Sequence, residues 1–235
     1  MSKLMKIPAK VIRNEYITPT VFEMDLKPEG NLSFLAGQFV QFVLPDPRNP
    51  EKKLKRSYSI CSAPETNFLR FCIKLVEDGL GTPQLTKFEV GQEINLIGPF
   101  GKFIYVESER APFFISTGTG IAPFYSMLDS MKARQALPKK AISLLGVRTE
   151  DEILYDDYMS SYPNLDWIKA VSRPKGQWDG FHGRVTDYLR SLNNFAYNDY
   201  DYYLCGNGAM IKEVKEFLAE QGVEKKQIYQ EIYFK

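Results

Sequence analysis

Cysteine and histidine are scarce in this chain, and their scarcity removes several chemistries at once. Only Cys61, Cys72 and Cys205 occur in 235 residues. They are too scattered for a disulfide scaffold, and they form neither a CxxC pair nor a four-cysteine iron–sulfur set. A reducing cytoplasm is therefore the expected compartment. The single histidine, His182, cannot alone build a His-rich zinc site or a serine–histidine hydrolase centre, so no metal site is expected. Uninterrupted apolar runs last only a few residues, far short of the roughly 20 that a spanning helix needs. The start, "MSKLMKIPAK", carries positive charge but no apolar core, so it does not read as a secretion signal. With 30 basic and 29 acidic residues the net charge is +1. Such a chain has no global field to draw in nucleic acid or an anionic membrane.

What is present is an average soluble composition, 44% hydrophobic and 25% charged, in a length that suits two ordinary domains or one large one. From residue 8 to about 106 the chain reads as strands. "KVIRNEYIT", "VFEMDLKP", "FVQFVLP", "RSYSICSA", "FLRFCIKLV" and "EINLIGPF" alternate apolar and polar residues or are rich in β-branched and aromatic ones. Turn clusters such as Pro28-Glu29-Gly30 and Pro45-Asp46-Pro47 separate them. Short strands at this spacing predict an antiparallel barrel. A helix is expected at "GTPQLTKFEV", with Leu85 and Phe88 on one face.

After about residue 110 strands and helices alternate. The strands are "PFFIST", "AISLLGV", "LDWIKAVS", "DYYLCG" and the closing "QIYQEIYF". The helices are "IAPFYSMLDSMKARQ", "DEILYDDYMSS", "VTDYLRSL" and "AMIKEVKEFLAEQ". That rhythm predicts βαβ units on a doubly wound parallel sheet. The expected organisation is β + α/β: an antiparallel barrel over residues 1–108, then an α/β domain over residues 109–235.

The turn Thr117-Gly118-Thr119-Gly120 lies between a strand and a helix. Glycines there let the backbone approach a pyrophosphate, whose charge a helix N-terminus favours. The ordinary dinucleotide fingerprint fails, however. Its third glycine is replaced by Pro123, and Pro138-Lys139-Lys140 stands where an acid is required. Proline in a helix's first turn is tolerated because its missing N–H would have no intrahelical partner. Taken alone, the turn is equally a tight strand-to-helix connection without a ligand.

It occurs together with "RSYS" (Arg56 to Ser59), "EDGLGT" ending at Thr82, "GVR", "VSRP", "GRVTDYL", "CGNGAM" and "YQEIYF". In this order, over essentially the whole chain, these motifs resemble the ferredoxin–NADP reductase family. That resemblance implies an antiparallel flavin-binding β-barrel followed by a doubly wound NAD(P)-binding domain. Within the family, a glycine pair followed by proline is the usual form of the nicotinamide turn.

The resemblance also implies roles. Arg56 would contact a flavin phosphate, Ser57 would join it in binding the cofactor, Tyr58 would stack on the isoalloxazine ring, and Ser59 would hydrogen-bond near flavin N5. Backbone at Gly79, Gly81 and Thr82 would hold the flavin pyrophosphate. Without the family, Arg56 reads as part of a solvated basic loop with Lys52, Lys53 and Lys55, Tyr58 as barrel core, and Thr82 as a helix N-cap. Thr117, Gly118, Thr119, Gly120 and Pro123 would form the pyridine-dinucleotide turn. Cys205, Gly206 and Asn207 would border the nicotinamide; Cys205 alone reads as a small buried hydrophobe. Glu231 would place a carboxylate near the flavin edge and Tyr233 would cover the ring, although Phe234 and Lys235 extend past the usual aromatic end. Ser59, Cys205 and Glu231 are thus the catalytic candidates.

Arg148, Ser172, Arg173 and Arg184 are candidates for a 2′-phosphate, because the guanidinium fork suits bidentate anion contacts. They favour NADP(H) over NAD(H), while similar motifs occur in relatives that prefer the unphosphorylated form. The function implied is a flavoenzyme with bound FAD that carries electrons between NADPH, by hydride to flavin N5, and a ferredoxin or flavodoxin. An electron-input subunit of a multicomponent oxygenase, a flavin reductase and a nucleotide sensor without turnover are the alternatives.

Overall fold

The alternating first hundred residues form strands that share one core. In this computed structural model, which describes residues 6–234, they are β1 (Lys6–Thr18), β2 (Val21–Pro28), β3 (Phe39–Asp46), β4 (Asn49–Ser59), β5 (Leu69–Lys74) and β6 (Glu93–Phe100). They make a six-stranded sheet in the order β4-β3-β6-β1-β2-β5, with every pairing antiparallel. Just past β4 the Cys61 N–H donates to the Arg70 carbonyl at 2.7 Å, so the two edges of the sheet converge as in a barrel. Each strand gives its apolar face to the same core, including Val11, Met24, Phe42, Leu54, Phe71 and Leu96.

β2 is buried on both faces, although it carries Glu23 and Asp25. Buried carboxylates persist only with partners. Arg70 on β5 meets Asp25 through two bonds of 2.8 Å, and Arg13 on β1 donates to Glu23.

The expected helix at residues 81–90 is a single turn, α1 (Thr82–Leu85). Asn14 explains the early stop: its side-chain amide donates to the carbonyls of Leu85 and Phe88, both at 2.9 Å. Phe88 still packs on the core. The basic run Lys52, Lys53 and Lys55, expected to be a loop, lies within β4. Leu54 enters the core between Lys53 and Lys55, which holds the run in a strand with its charges outward.

The second half contains β7 (Ala111–Thr117), α2 (Ala122–Ala133), β8 (Ala141–Val147), α3 (Asp156–Ser160), β9 (Leu165–Val171), β10 (Phe181–His182), α4 (Val185–Ser191), β11 (Tyr200–Asn207), α5 (Gly208–Glu220) and β12 (Ile228–Phe234). The sheet order is β10-β9-β8-β7-β11-β12, all parallel. From β7 the chain builds outward through β8, β9 and β10, then returns to place β11 on the other side of β7. That reversal makes the carboxyl ends of β7 and β11 the switch point.

The predicted helix over residues 151–161 is interrupted. A 3-10 turn spans Glu150–Glu152, and α3 begins only after Tyr155, which is left-handed at φ 57°. The two-residue strand β10 had no sequence signal.

Two compact units result. One runs to Tyr105 and takes back Ala122–Arg134, so α2 groups with the barrel; the other holds Val106–Ile121 and Gln135 onward. Ser126 on α2 donates to the Ser62 carbonyl at 2.7 Å and Ser130 to Glu65 at 2.9 Å.

Phe42 is fully buried and meets both Phe71 and Tyr58 edge-on, with centroids 4.8 and 4.9 Å apart. Phe42→Ala is expected to destabilise the protein by about 3–5 kcal/mol, read from the midpoint of chemical denaturation.

Candidate functional site

In the barrel unit, β4 presents Arg56 and Tyr58 on one face and Ser57 and Ser59 on the other. Arg56 lies across the turn that precedes α1. A Cβ at Gly81 would stand 3.0 Å from the Arg56 Cγ and 3.6 Å from its Nε. Residues 25 positions apart are thus brought into contact, the arrangement that a phosphate held by one guanidinium and one glycine turn requires. Arg56 is exposed. One of its N–H groups donates to the Lys55 carbonyl at 2.9 Å, and among the described residues it makes no ion pair, so its other donors suit an anion.

Thr82 does not act as an N-cap. The helix N-cap is Gly81, while the Thr82 hydroxyl accepts from Val76 N–H at 2.9 Å and donates to the Val76 carbonyl at 3.2 Å. It closes the loop containing Gly79, whose own N–H donates to the same carbonyl at 2.8 Å.

Tyr58 is partly buried and packs against the barrel core, with Phe42 edge-on to its ring. Burial pushes its phenol up to about 12, against a smaller opposing effect of Arg56, so the ring stays neutral. Ser57 is exposed and Ser59 buried.

In the second unit the carboxyl ends of β7 and β11 pass closely. A Cβ at Gly120 would lie 2.4 Å from the Cys205 carbonyl oxygen, nearer than any side chain tolerates. Gly206, at φ 130°, would put its Cβ 2.4 Å from the Thr117 hydroxyl. Both positions are glycine because the two backbones touch there. Thr117 accepts from Asn207 N–H at 3.1 Å. The 3-10 turn Gly118–Ile121, including Thr119, leads directly into α2, with Pro123 in its first turn. Asn207 caps α5: its side-chain oxygen accepts from Ala209 N–H at 2.8 Å and Met210 N–H at 3.3 Å. The sequence reading missed this cap, which the run Asn207-Gly208-Ala209 before an apolar periodic stretch signals. This arrangement fits a dinucleotide, with bare backbone at a switch point and a 13-residue helix starting beside it.

Cys205 is fully buried and pairs across the sheet with Glu231. Burial, then the nearby Glu231 charge, push its thiol well up, with a Tyr233 hydrogen bond pulling the other way. Cys205 is therefore a neutral thiol, and two of the three catalytic candidates, Cys205 and Glu231, are neighbours. Met1 to Met5, the side chain of Phe234, and Lys235 lie outside the described residues, so the choice between Tyr233 and Phe234 does too.

Arg148 follows β8, Arg173 follows β9 and Arg184 precedes α4. Arg173 N–H donates to the Arg148 carbonyl at 2.7 Å, and Gly183 N–H to the Val171 carbonyl at 3.0 Å. The Ser172 hydroxyl donates to the Val147 carbonyl at 3.3 Å. All three arginines are exposed, and among the described residues none makes an ion pair.

Gly120→Ala is expected to cost about 1–3 kcal/mol through overpacking and to lower nicotinamide-nucleotide affinity, measured by denaturation and calorimetry. All three cysteines are buried. Ellman's reagent at mildly alkaline pH should leave them unreacted in the folded protein and titrate all of them after unfolding.

Comparison with known proteins matches the oxidoreductase FAD-binding domain family to residues 8–105 and the oxidoreductase NAD-binding domain family to residues 114–216. Ferredoxin–NADP reductase B of Sorangium cellulosum is 32% identical over 240 residues, covering 96% of each chain. The anthranilate 1,2-dioxygenase electron transfer component of Acinetobacter baylyi is 30% identical over 236 residues; the match covers 97% of this chain and 67% of that protein. The solved ferredoxin NADP+ reductase of Neisseria gonorrhoeae, with bound FAD and NADP, shares the fold at a TM-score of 0.85. It has 21% identity, over 99% of this chain and 100% of that one. The barrel with its arginine and glycine turn, and the parallel sheet with its glycine-lined switch point, are the two halves of that likeness: the chain belongs to the ferredoxin–NADP reductase family of FAD- and nicotinamide-binding oxidoreductases.

Proposed function

We propose that the chain oxidises NADPH and delivers the electrons to a small one-electron carrier protein, a ferredoxin or a flavodoxin, in the cytoplasm. The observation that carries the cofactor choice is the set of exposed Arg148, Arg173 and Arg184 around Ser172, whose guanidinium groups make no ion pair among the described residues. A 2′-phosphate is the feature of NADPH that such a cluster recognises. Similarity to ferredoxin–NADP reductase B over 96% of both chains supports the carrier.

When bound, the cofactors supply hydride transfer from nicotinamide C4 to flavin N5 and onward one-electron delivery. The chain's residues bind and orient. Arg56 neutralises a flavin phosphate while the Gly79–Thr82 turn offers backbone N–H groups. Tyr58 offers a neutral aromatic face, and Ser57 and Ser59 offer hydroxyls beside it. Gly118, Thr119 and Gly120 receive the nicotinamide dinucleotide against Gly206 and Asn207, and Pro123 starts the helix that follows. The neutral Cys205 thiol packs without adding charge, Glu231 supplies a carboxylate, and Tyr233 supplies an aromatic face near the end of β12. Lys52, Lys53 and Lys55, exposed on the edge strand β4, suit an acidic carrier.

A second reading, an electron-input subunit serving an oxygenase, is supported by the 30% identity to the anthranilate dioxygenase electron transfer component. Anaerobic titration of the visible spectrum tests the first reading. The purified protein should be yellow and bleach with NADPH. Arg173→Ala should weaken NADPH roughly tenfold or more and NADH little. Equal losses would remove the cofactor preference, and a protein that neither nucleotide bleaches would refute hydride transfer.

A further inference from the structure

The segment carrying Arg173 is fastened on both sides. Before it, the Ser172 N–H donates to the Val147 carbonyl at 3.1 Å and the Arg173 N–H to the Arg148 carbonyl at 2.7 Å. After it, Pro174 restricts the backbone, and the next residue is held by the turn that follows β8. Lys175 N–H donates to the Glu150 carboxylate at 3.0 Å. The other Glu150 oxygen lies 3.8 Å from where a Gly176 Cβ would be. The Lys175 ammonium pairs with Asp151 at 2.8 Å.

We infer that Glu150 is a positioning residue for 2′-phosphate recognition: its carboxylate latches the Lys175 backbone so that the loop presents Arg173 in a fixed place. The inference rests on the NADPH reading above. Two acidic side chains beside a phosphate-binding arginine would by charge alone weaken phosphate binding. The bond of Glu150 to the Lys175 backbone and the pairing of Asp151 with the Lys175 ammonium supply the opposing reason for their presence. A free loop must be ordered when the phosphate binds, at a cost in affinity; a latched loop has been ordered in advance. Glu150 and Asp151 reach Lys175, and among the described residues neither of them pairs with Arg173, whose guanidinium stays available for the ligand.

The test is calorimetric binding of adenosine 2′,5′-bisphosphate and of 5′-AMP to the purified holoprotein. Glu150→Ala should weaken the bisphosphate roughly three- to tenfold and leave 5′-AMP within about twofold, which also reports that the site is folded. Glu150→Gln, which removes the charge but keeps an oxygen acceptor, should bind the bisphosphate at least as well as Glu150→Ala does and closer to the wild type. If both variants tighten the bisphosphate equally, Glu150 acts only through its charge and the latch is refuted. Parallel loss of both ligands would also refute it. Arg173→Ala separates the two levels. If it abolishes discrimination while Glu150→Ala does not, only the latch falls; if it changes nothing, the NADPH reading falls with it.

Discussion

Where β7 and β11 end there is no room for a side chain between them. A methyl group on Gly120 would meet the Cys205 carbonyl, and one on Gly206 would meet the Thr117 hydroxyl. The second unit is arranged around this approach. Because the backbones touch, Thr117 can take the Asn207 N–H, Asn207 is set to cap α5, and Gly118 turns left-handed at φ 52° to leave the strand. The same absence of side chains leaves peptide groups bare at the switch point, where a dinucleotide can approach them. Packing, and the binding proposed above, thus impose one requirement on the same two glycines.

Arginine serves two purposes in this molecule, and the carboxylates opposite each one tell them apart. Arg13 and Arg70 face Glu23 and Asp25, which are buried. Hydrogen bonds to carboxylates hold them protonated, Arg13 chiefly through Glu15 with smaller help from Glu23, and Arg70 most strongly through Asp25. They make it possible for β2 to be enclosed on both faces. Arg56, Arg148, Arg173 and Arg184 are exposed, and among the described residues they make no ion pair. Guanidinium groups free of ion pairs suit the phosphate contacts proposed above. Burial holds the Tyr58 phenol and the Cys205 thiol neutral.

Much of the fold was legible because period-2 and strand–helix patterns are local. β2, β6 and β8 were read at their observed bounds, and most others to within a few residues. The failures have local causes that involve distant residues. The helix after Gly81 stops at Leu85, where Asn14, on β1, donates to the carbonyls of Leu85 and Phe88. The Lys52–Lys55 run became a strand because Leu54 reaches the core. Tyr155 broke a helix that its neighbours would have continued.

Residue types and their order determined the two-part architecture, the glycine turn with its proline, and the family motifs, since each is written in contiguous sequence. Tertiary structure alone decided that Arg56 lies across Gly81, that Thr82 closes its loop on Val76 instead of capping a helix, that Cys205 and Glu231 are neighbours, and that Glu150 holds the loop behind Arg173. Those are contacts between segments far apart in the chain. Only strand order and register bring them within a few ångströms, and neither is written in the spacing of residues along a line.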